Sequence, residues 1–246
     1  MNELLQQVDT LKEELRTLRP LSKAELQRLR EEFVIETTYN SNAIEGNTLT
    51  LRETALILQE GITIAEKPLR DHLDVIGFKD AFYYIIDIAS RPAPLTEEVI
   101  KTIHSLVLMG DRENRGRYRN VPVRIMGALH KPPQPYMIQP ALEQLLRHYE
   151  EWKIQKHPLE AIALFHLEFE SIHPFIDGNG RTGRLLLNLE LIKSGYLPID
   201  IKFTDRRAYY ESFDEYHQVD QNAASMIQLI ASYEKSELQQ YISIIK

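Results

Sequence analysis

One glycine-rich run, His173-Pro174-Phe175-Ile176-Asp177-Gly178-Asn179-Gly180-Arg181-Thr182-Gly183-Arg184, carries an imidazole, a carboxylate and two guanidiniums. That combination suits attack on a phosphate. Gly178, Asn179 and Gly180 sit just before a helical pattern, where glycine-rich backbone can turn its N–H groups toward one point. The helix N-terminus that follows adds unpaired donors and a partial positive charge. Arg181 and Arg184 are three apart and are expected to project on one side of the first turn. Asp177 would repel a phosphate unless a cation sits between them, and Mg²⁺ takes one carboxylate together with phosphate oxygens. His173, with an ordinary pKa near ~6.5, can accept a proton at neutral pH.

Other readings of the same residues fail on context. The run literally matches GxGxxG, but a dinucleotide fold needs a strand before it, and Pro158 to Ile172 reads as a helix. Arg184-Leu185 stands where a P-loop needs Lys followed by Ser or Thr. An EF-hand would require oxygen ligands where Arg181 and Asn188 fall. His166 and His173 are too far apart in sequence for HExxH zinc ligation.

A second string, Ser41-Asn42-Ala43-Ile44-Glu45-Gly46, is weaker. Alone it is a polar helix end followed by a turn, with one carboxylate at the surface.

The elements around these strings are mostly helical. Leu4, Val8, Leu11, Leu15 and Leu18 recur at helical spacing up to Pro20, and Ser22-Lys23-Ala24-Glu25 reads as a capping box opening a second stripe. These two are expected to form a hairpin that covers the core or offers a partner surface. Further helices are expected over 51–59, 73–89, after Thr96, over 141–152, 158–172 and 181–193, and around Tyr209 and Tyr210. Asn114 to Pro140 differs: glycines and prolines flank a strand-like run at 121–126, which predicts a loop with a β-hairpin. The simplest organisation is one all-α domain with an N-terminal helical extension.

Composition narrows the class. The 246 residues are 43% hydrophobic and 26% charged, as in ordinary globular proteins. A net charge of -7 argues against a general nucleic-acid binder. No apolar run is long enough to span a membrane, and no basic-then-apolar leader opens the chain. The absence of cysteine excludes disulfides and thiolate chemistry and suits a reducing cytoplasm.

The long run resembles the signature of the Fic domain (filamentation induced by cAMP), HPF-x-[DE]-GNGR-x-x-R, at every specified position. With the AIEGNT string at 43–48, the chain is most similar to single-domain and animal-type Fic adenylyltransferases from about Thr37 onward. The resemblance implies an all-α Fic core with a β-hairpin flap. It divides the chain into an extension at 1–36, an inhibitory-helix region at 37–60 and a core at 61–246. It implies transfer of AMP from ATP to a Ser, Thr or Tyr hydroxyl of a protein target. His173 would be the base, and Asp177 would hold Mg²⁺. Gly178, Asn179, Gly180, Arg181 and Arg184 would contact the phosphates, and Thr182 and Gly183 would line the same turn. Tyr209 and Tyr210 would lie near the adenine, with His217 where some relatives carry asparagine. Val123, Arg124, Ile125, Met126 and Gly127 would dock the target by strand addition. Ser41, Glu45 and Gly46 fit the family's inhibitory motif, with Glu45 pairing Arg184 in place of the γ-phosphate. In some relatives that glutamate also supports AMP removal. Self-modification and a homodimer are compatible with the family, and neither nucleic acid nor membrane is implied as a partner. Two alternatives remain open: transfer of another nucleotide or a phosphoryl group (as in death-on-curing toxins), and a non-catalytic nucleotide-sensing module.

Overall fold

A computed structural model describes residues 1–125 and 130–246. Ten α-helices occur among them: α1 (Asn2–Thr17), α2 (Lys23–Ile44), α3 (Leu51–Glu60), α4 (Leu69–Ala89), α5 (Glu97–Val107), α6 (Ile138–Gln155), α7 (Pro158–Ile172), α8 (Asn179–Lys193), α9 (Arg206–Gln218) and α10 (Ala224–Ile245). Their starts follow local chemistry. Ser22 and Glu25 close the expected capping box on α2, with the Glu25 amide donating to Ser22 Oγ at 3.2 Å and the Ser22 amide to Glu25 Oε2 at 2.7 Å. Thr50 and Glu53 do the same for α3. Thr96 caps α5, and Pro158 opens α7 where its missing N–H costs nothing.

Helix α8 is the centre of the molecule. α7, α4, α5 and α2 all pack on it. Leu185, Leu186, Leu187, Leu189 and Leu191 are buried, so it is apolar nearly all round, as a central helix must be. Its first turn, which carries the polar half of the signature, is thereby held in the protein interior.

The expected pairing of the first two helices is not what forms. α1 lies along α10, where Leu5 and Val8 join the main core. The first half of α2 projects outward, with Leu26 exposed, and only its second half, from Val34 to Ile44, is buried. α2 runs unbroken through position 36.

Among the described residues no strand forms. Val123, Arg124 and Ile125 of the expected flap have no regular secondary structure, and Met126 and Gly127 lie outside the described residues. No helix among the described residues is long and apolar enough to cross a membrane.

Candidate active site

The peptide from His173 to Gly178 is a tight loop between α7 and α8, and buried polar groups hold it from both sides. His173 ends α7 in the left-handed region, with φ 48°, and its amide donates to the Phe169 carbonyl at 3.1 Å. Phe175 is fully buried and stacks on His104 of α5, ring centroids 3.6 Å apart. The Gly116 amide donates to His104 Nδ1 at 2.9 Å, so Nε2 carries the proton and donates to the Asp177 carbonyl at 2.9 Å. Burial pushes the His104 pKa down to about 4, which keeps the ring neutral. The Asn179 side chain is spent on the same loop: Oδ1 accepts from the Phe175 amide at 2.8 Å and Nδ2 donates to its carbonyl at 2.9 Å. Asn179 therefore offers a ligand its backbone, not its amide group.

Arg119 fixes the loop from the other side. Its buried guanidinium donates to the carbonyls of His173 (2.8 Å), Pro133 (2.7 Å), Val121 (3.1 Å) and Ile172 (3.4 Å). One side chain thus ties the peptide of His173 to both ends of the loop that runs from Val121 to Pro133.

α8 begins two residues before the sequence pattern indicates. Gly178 is the N-cap at φ 75°, and Asn179 and Gly180 belong to the first turn. The element that could receive an anion is accordingly a helix N-terminus entered through a left-handed glycine, rather than a free-standing nest. Thr182 is fully buried, and its amide already serves the Gly178 carbonyl at 3.0 Å.

The two arginines do not share a task. Arg181 is 2% exposed; Nη1 is 2.6 Å from Asp74 of α4 and 3.4 Å from Asn42 Oδ1 of α2. It bolts three helices together. Arg184 instead faces a cavity of about 430 Å³ whose walls include His173, Gly180, Glu45, Glu170, Tyr210 and Phe213. That volume lies within the range of small-molecule sites.

Helix α2 reaches this cavity with its C-terminus. Arg184 Nε donates to Ser41 Oγ at 2.8 Å, and Nη2 donates to the Ser41 carbonyl and to Glu45 Oε1, each at 2.8 Å. Glu45 is the C-cap, where a negative charge opposes the helix dipole. Arg184 offsets that cost, and Arg206 of α9 adds a donor to the Ile44 carbonyl at 2.8 Å. Gly46 follows at φ 91° and turns the chain away. At Gly180 a Cβ would collide with the Glu45 carboxylate, so only glycine lets that carboxylate lie against the first turn of α8. The structure therefore brings Glu45, Gly180, Arg184 and His173 to one cavity, with Ser41 holding the Arg184 guanidinium from behind.

His173 is mostly enclosed, with 22% of its side chain exposed. Burial lowers its pKa to about 4, opposed by the Glu170 backbone and reinforced by the Arg119 charge, so the imidazole is a neutral proton acceptor at pH 7. Asp177 is half-exposed; Oδ1 accepts from the Gly178 amide at 2.6 Å, and Oδ2 lies 2.5 Å from Arg70 of α4. Among the described residues no group of three or more His, Asp or Glu forms a cation cage. A single accessible carboxylate beside an anion-binding helix end suits an ion that completes its shell with phosphate oxygens and water, as Mg²⁺ does.

Both tyrosines line the cavity but differ in exposure. Tyr209 is buried, with its hydroxyl 2.8 Å from His166 Nε2 and its ring edge-on to Phe213. Tyr210 is partly open to the cavity, with Arg206 over its ring at 4.9 Å. His217 stacks on His130 and lies 3.0 Å from Ser171 Oγ. Arg119, His104, Glu170 and Arg70 carry no local spacing signal. A charged residue such as Glu170 within the apolar run of α7 is the one cue the sequence offers for that set.

Residues 94–191 match the Fic/DOC family. The chain is 34% identical over 220 residues to "Protein adenylyltransferase Fic" of Nematostella vectensis, a match covering 87% of this chain and 50% of that protein. The corresponding Drosophila yakuba protein is also 34% identical, with 41% of it covered. The chain thus spans about half the length of the curated relatives it matches. Among solved structures, a fragment of Fic-1 from C. elegans is 30% identical with a TM-score of 0.82, covering 98% of this chain and 72% of that one. A Fic-domain-containing signaling protein from Bacteroides thetaiotaomicron has a TM-score of 0.86 at 27% identity, covering 98% and 97%. These likenesses extend well beyond the signature, and the chain belongs to the Fic family.

Proposed function

We propose that the protein transfers AMP from ATP to a hydroxyl of a protein target and that its own α2 holds this activity in check. One observation carries the reading. A neutral imidazole, a helix N-terminus and a deeply set guanidinium line one cavity, and a carboxylate of the same chain occupies the guanidinium. The relatives' name, protein adenylyltransferase, supplies the reaction type.

The target hydroxyl gives its proton to His173 Nε2 while its oxygen bonds to the α-phosphorus. The bond from that phosphorus to the bridging oxygen breaks, and pyrophosphate leaves. The first-turn amides of α8 and the Arg184 guanidinium meet the developing charge, so positioning and fixed dipoles do most of the work. Asp177 would hold Mg²⁺, which supplies positive charge to the phosphate oxygens; Arg70 must then share or release the carboxylate. Tyr210, Phe213 and Ile125 offer a flat, partly apolar wall for the base. The segment around 123–127 would receive an extended stretch of the target as an added strand. Arg119 ties Val121 and Pro133, which flank that segment, to the peptide of His173, which would bring the hydroxyl to the base.

Glu45 accepts from the Arg184 Nη2 that a γ-phosphate would otherwise engage. A charge-assisted pair of this kind competes directly with phosphate. ATP bound against it would sit displaced, with its α-phosphorus out of line.

Incubating Glu45→Gly protein with ATP labelled at the α- or the γ-phosphate tests the reaction. Label should enter protein from the α-position only. Entry from the γ-position would make the chain a phosphotransferase, and entry from neither would leave a nucleotide-sensing module.

A further inference from the structure

Glu170 sits on the last turn of α7, three residues before His173, and its carboxyl points into the catalytic cavity. Its Oε2 lies 3.8 Å from His173 Nδ1. Both His173 Nδ1 and Glu170 Oε1 are buried without a hydrogen-bond partner among the described residues. An unsatisfied ring nitrogen in an enclosed space is costly unless it meets an acceptor in some state of the protein, and Glu170 Oε2 is the side-chain oxygen at hand. Room for the carboxyl is built in: a Cβ at Gly183 would collide with Glu170 Oε1, so glycine there is what admits the acid between α7 and α8.

We propose that Glu170 is a positioning residue for His173, accepting a hydrogen bond from Nδ1–H so that Nε2 is the free lone pair facing the target hydroxyl. This rests on the reading of His173 as the base. The carboxyl accepts that hydrogen bond through Oε2 whether or not Oε1 carries a proton. When Nε2 takes the hydroxyl proton, the ring becomes an imidazolium and the same contact becomes charge-assisted. No proton moves to Glu170, and the proton taken up stays on Nε2 until the ring is reset by solvent. The gap of 3.8 Å closes with a small side-chain rotation once nucleotide and target fill the cavity.

The charges around Glu170 fit this role. His166 faces it from α7, His173 from the cap of that helix, Arg184 from α8, Glu45 from the end of α2 and Tyr209 from α9. Burial raises the Glu170 pKa to about 8, Arg184 opposes that rise and Glu45 adds to it. Glu170 is therefore a neutral acid at pH 7, chiefly because it is buried.

The test uses the full chain labelled with ¹⁵N-histidine, with the His173 signals identified by their loss in His173→Ala. At pH 7, wild type and Glu170→Gln should show the Nδ1–H tautomer of His173, whereas Glu170→Ala should show a substantial Nε2–H fraction. In a Glu45→Gly background, Glu170→Ala should lower kcat on the order of 10–100-fold, as for other groups that orient a reacting residue, with KM for ATP unchanged. Glu170→Gln should recover part of that loss. An unchanged tautomer in folded Glu170→Ala, whatever its kcat, overturns the proposal. Full activity of His173→Ala would instead remove the reading on which it rests.

Discussion

Arg184 and Glu45 share a hydrogen bond of 2.8 Å, although they are 139 residues apart, one within α8 and the other capping the end of α2. The guanidinium is nearly enclosed and the carboxylate is one-third exposed. Glu45 can therefore leave toward solvent while Arg184 stays. A ligand with a terminal phosphate needs only to replace one anion by another. A terminal phosphate carries more negative charge than the carboxylate it would displace, which favours the exchange at Arg184.

The unequal placement of the two signature arginines gives a first prediction. Arg181→Met leaves the mostly buried Asp74 carboxylate with only the exposed Arg70 at 3.6 Å, and loss of the buried partner should cost up to about 3–5 kcal/mol. Urea unfolding should show this loss. Arg184→Met should instead weaken ATP binding by isothermal calorimetry in a Glu45→Gly background.

Arg119 supports a second prediction. A lysine ammonium cannot reach the four carbonyls that the guanidinium serves. Arg119→Lys should raise KM for a protein target and lower kcat, while the dissociation constant for ATP stays within about twofold, because the Arg184 end of the cavity is untouched. Steady-state kinetics with one target peptide, set beside ATP calorimetry, separates the two.

Stability should depend on Glu170 through pH. Its folded pKa of about 8 lies above its unfolded value, so between pH 4.5 and 8 the folded state binds more protons and the Glu170 contribution falls as pH rises. His104, His166 and His173 act in the opposite sense. Burial lowers their pKa values to about 4, 3 and 4, so they favour folding above pH 6.5 and lose that contribution as pH falls through this range. Above pH 6.5 the acid dominates within this set. The melting temperature of Glu170→Gln minus that of wild type should therefore grow from pH 5 to pH 8; a flat difference would contradict it.

Much of this site can be read from the residues before any coordinates. Leucine spacing, the Ser22–Glu25 box and Pro158 locate their helices because each depends on neighbours in sequence. The His173–Arg184 run and the Glu45 string are legible because the backbone geometry they need is local. The rest depends on contacts that no spacing encodes. Arg181 and Arg184 look equivalent on a helical wheel, and only the approach of α4 with Asp74 decides which one turns inward. α1 carries a clear apolar face, yet its partner proved to be α10 at the far end of the chain. Asn179 looked like a ligand group until the turn of the loop placed Phe175 within its reach.

The brake is the centre of this account, and the rate of AMP transfer is its direct measure. Wild type, Glu45→Gly and Glu45→Gly/His173→Ala should be compared with α-labelled ATP and cell lysate as the source of target. A misplacement of about 1 Å at the reacting phosphorus costs on the order of 100-fold. Glu45→Gly should exceed wild type by about that factor, and the double variant should label nothing. Equal labelling by wild type and Glu45→Gly would contradict the account.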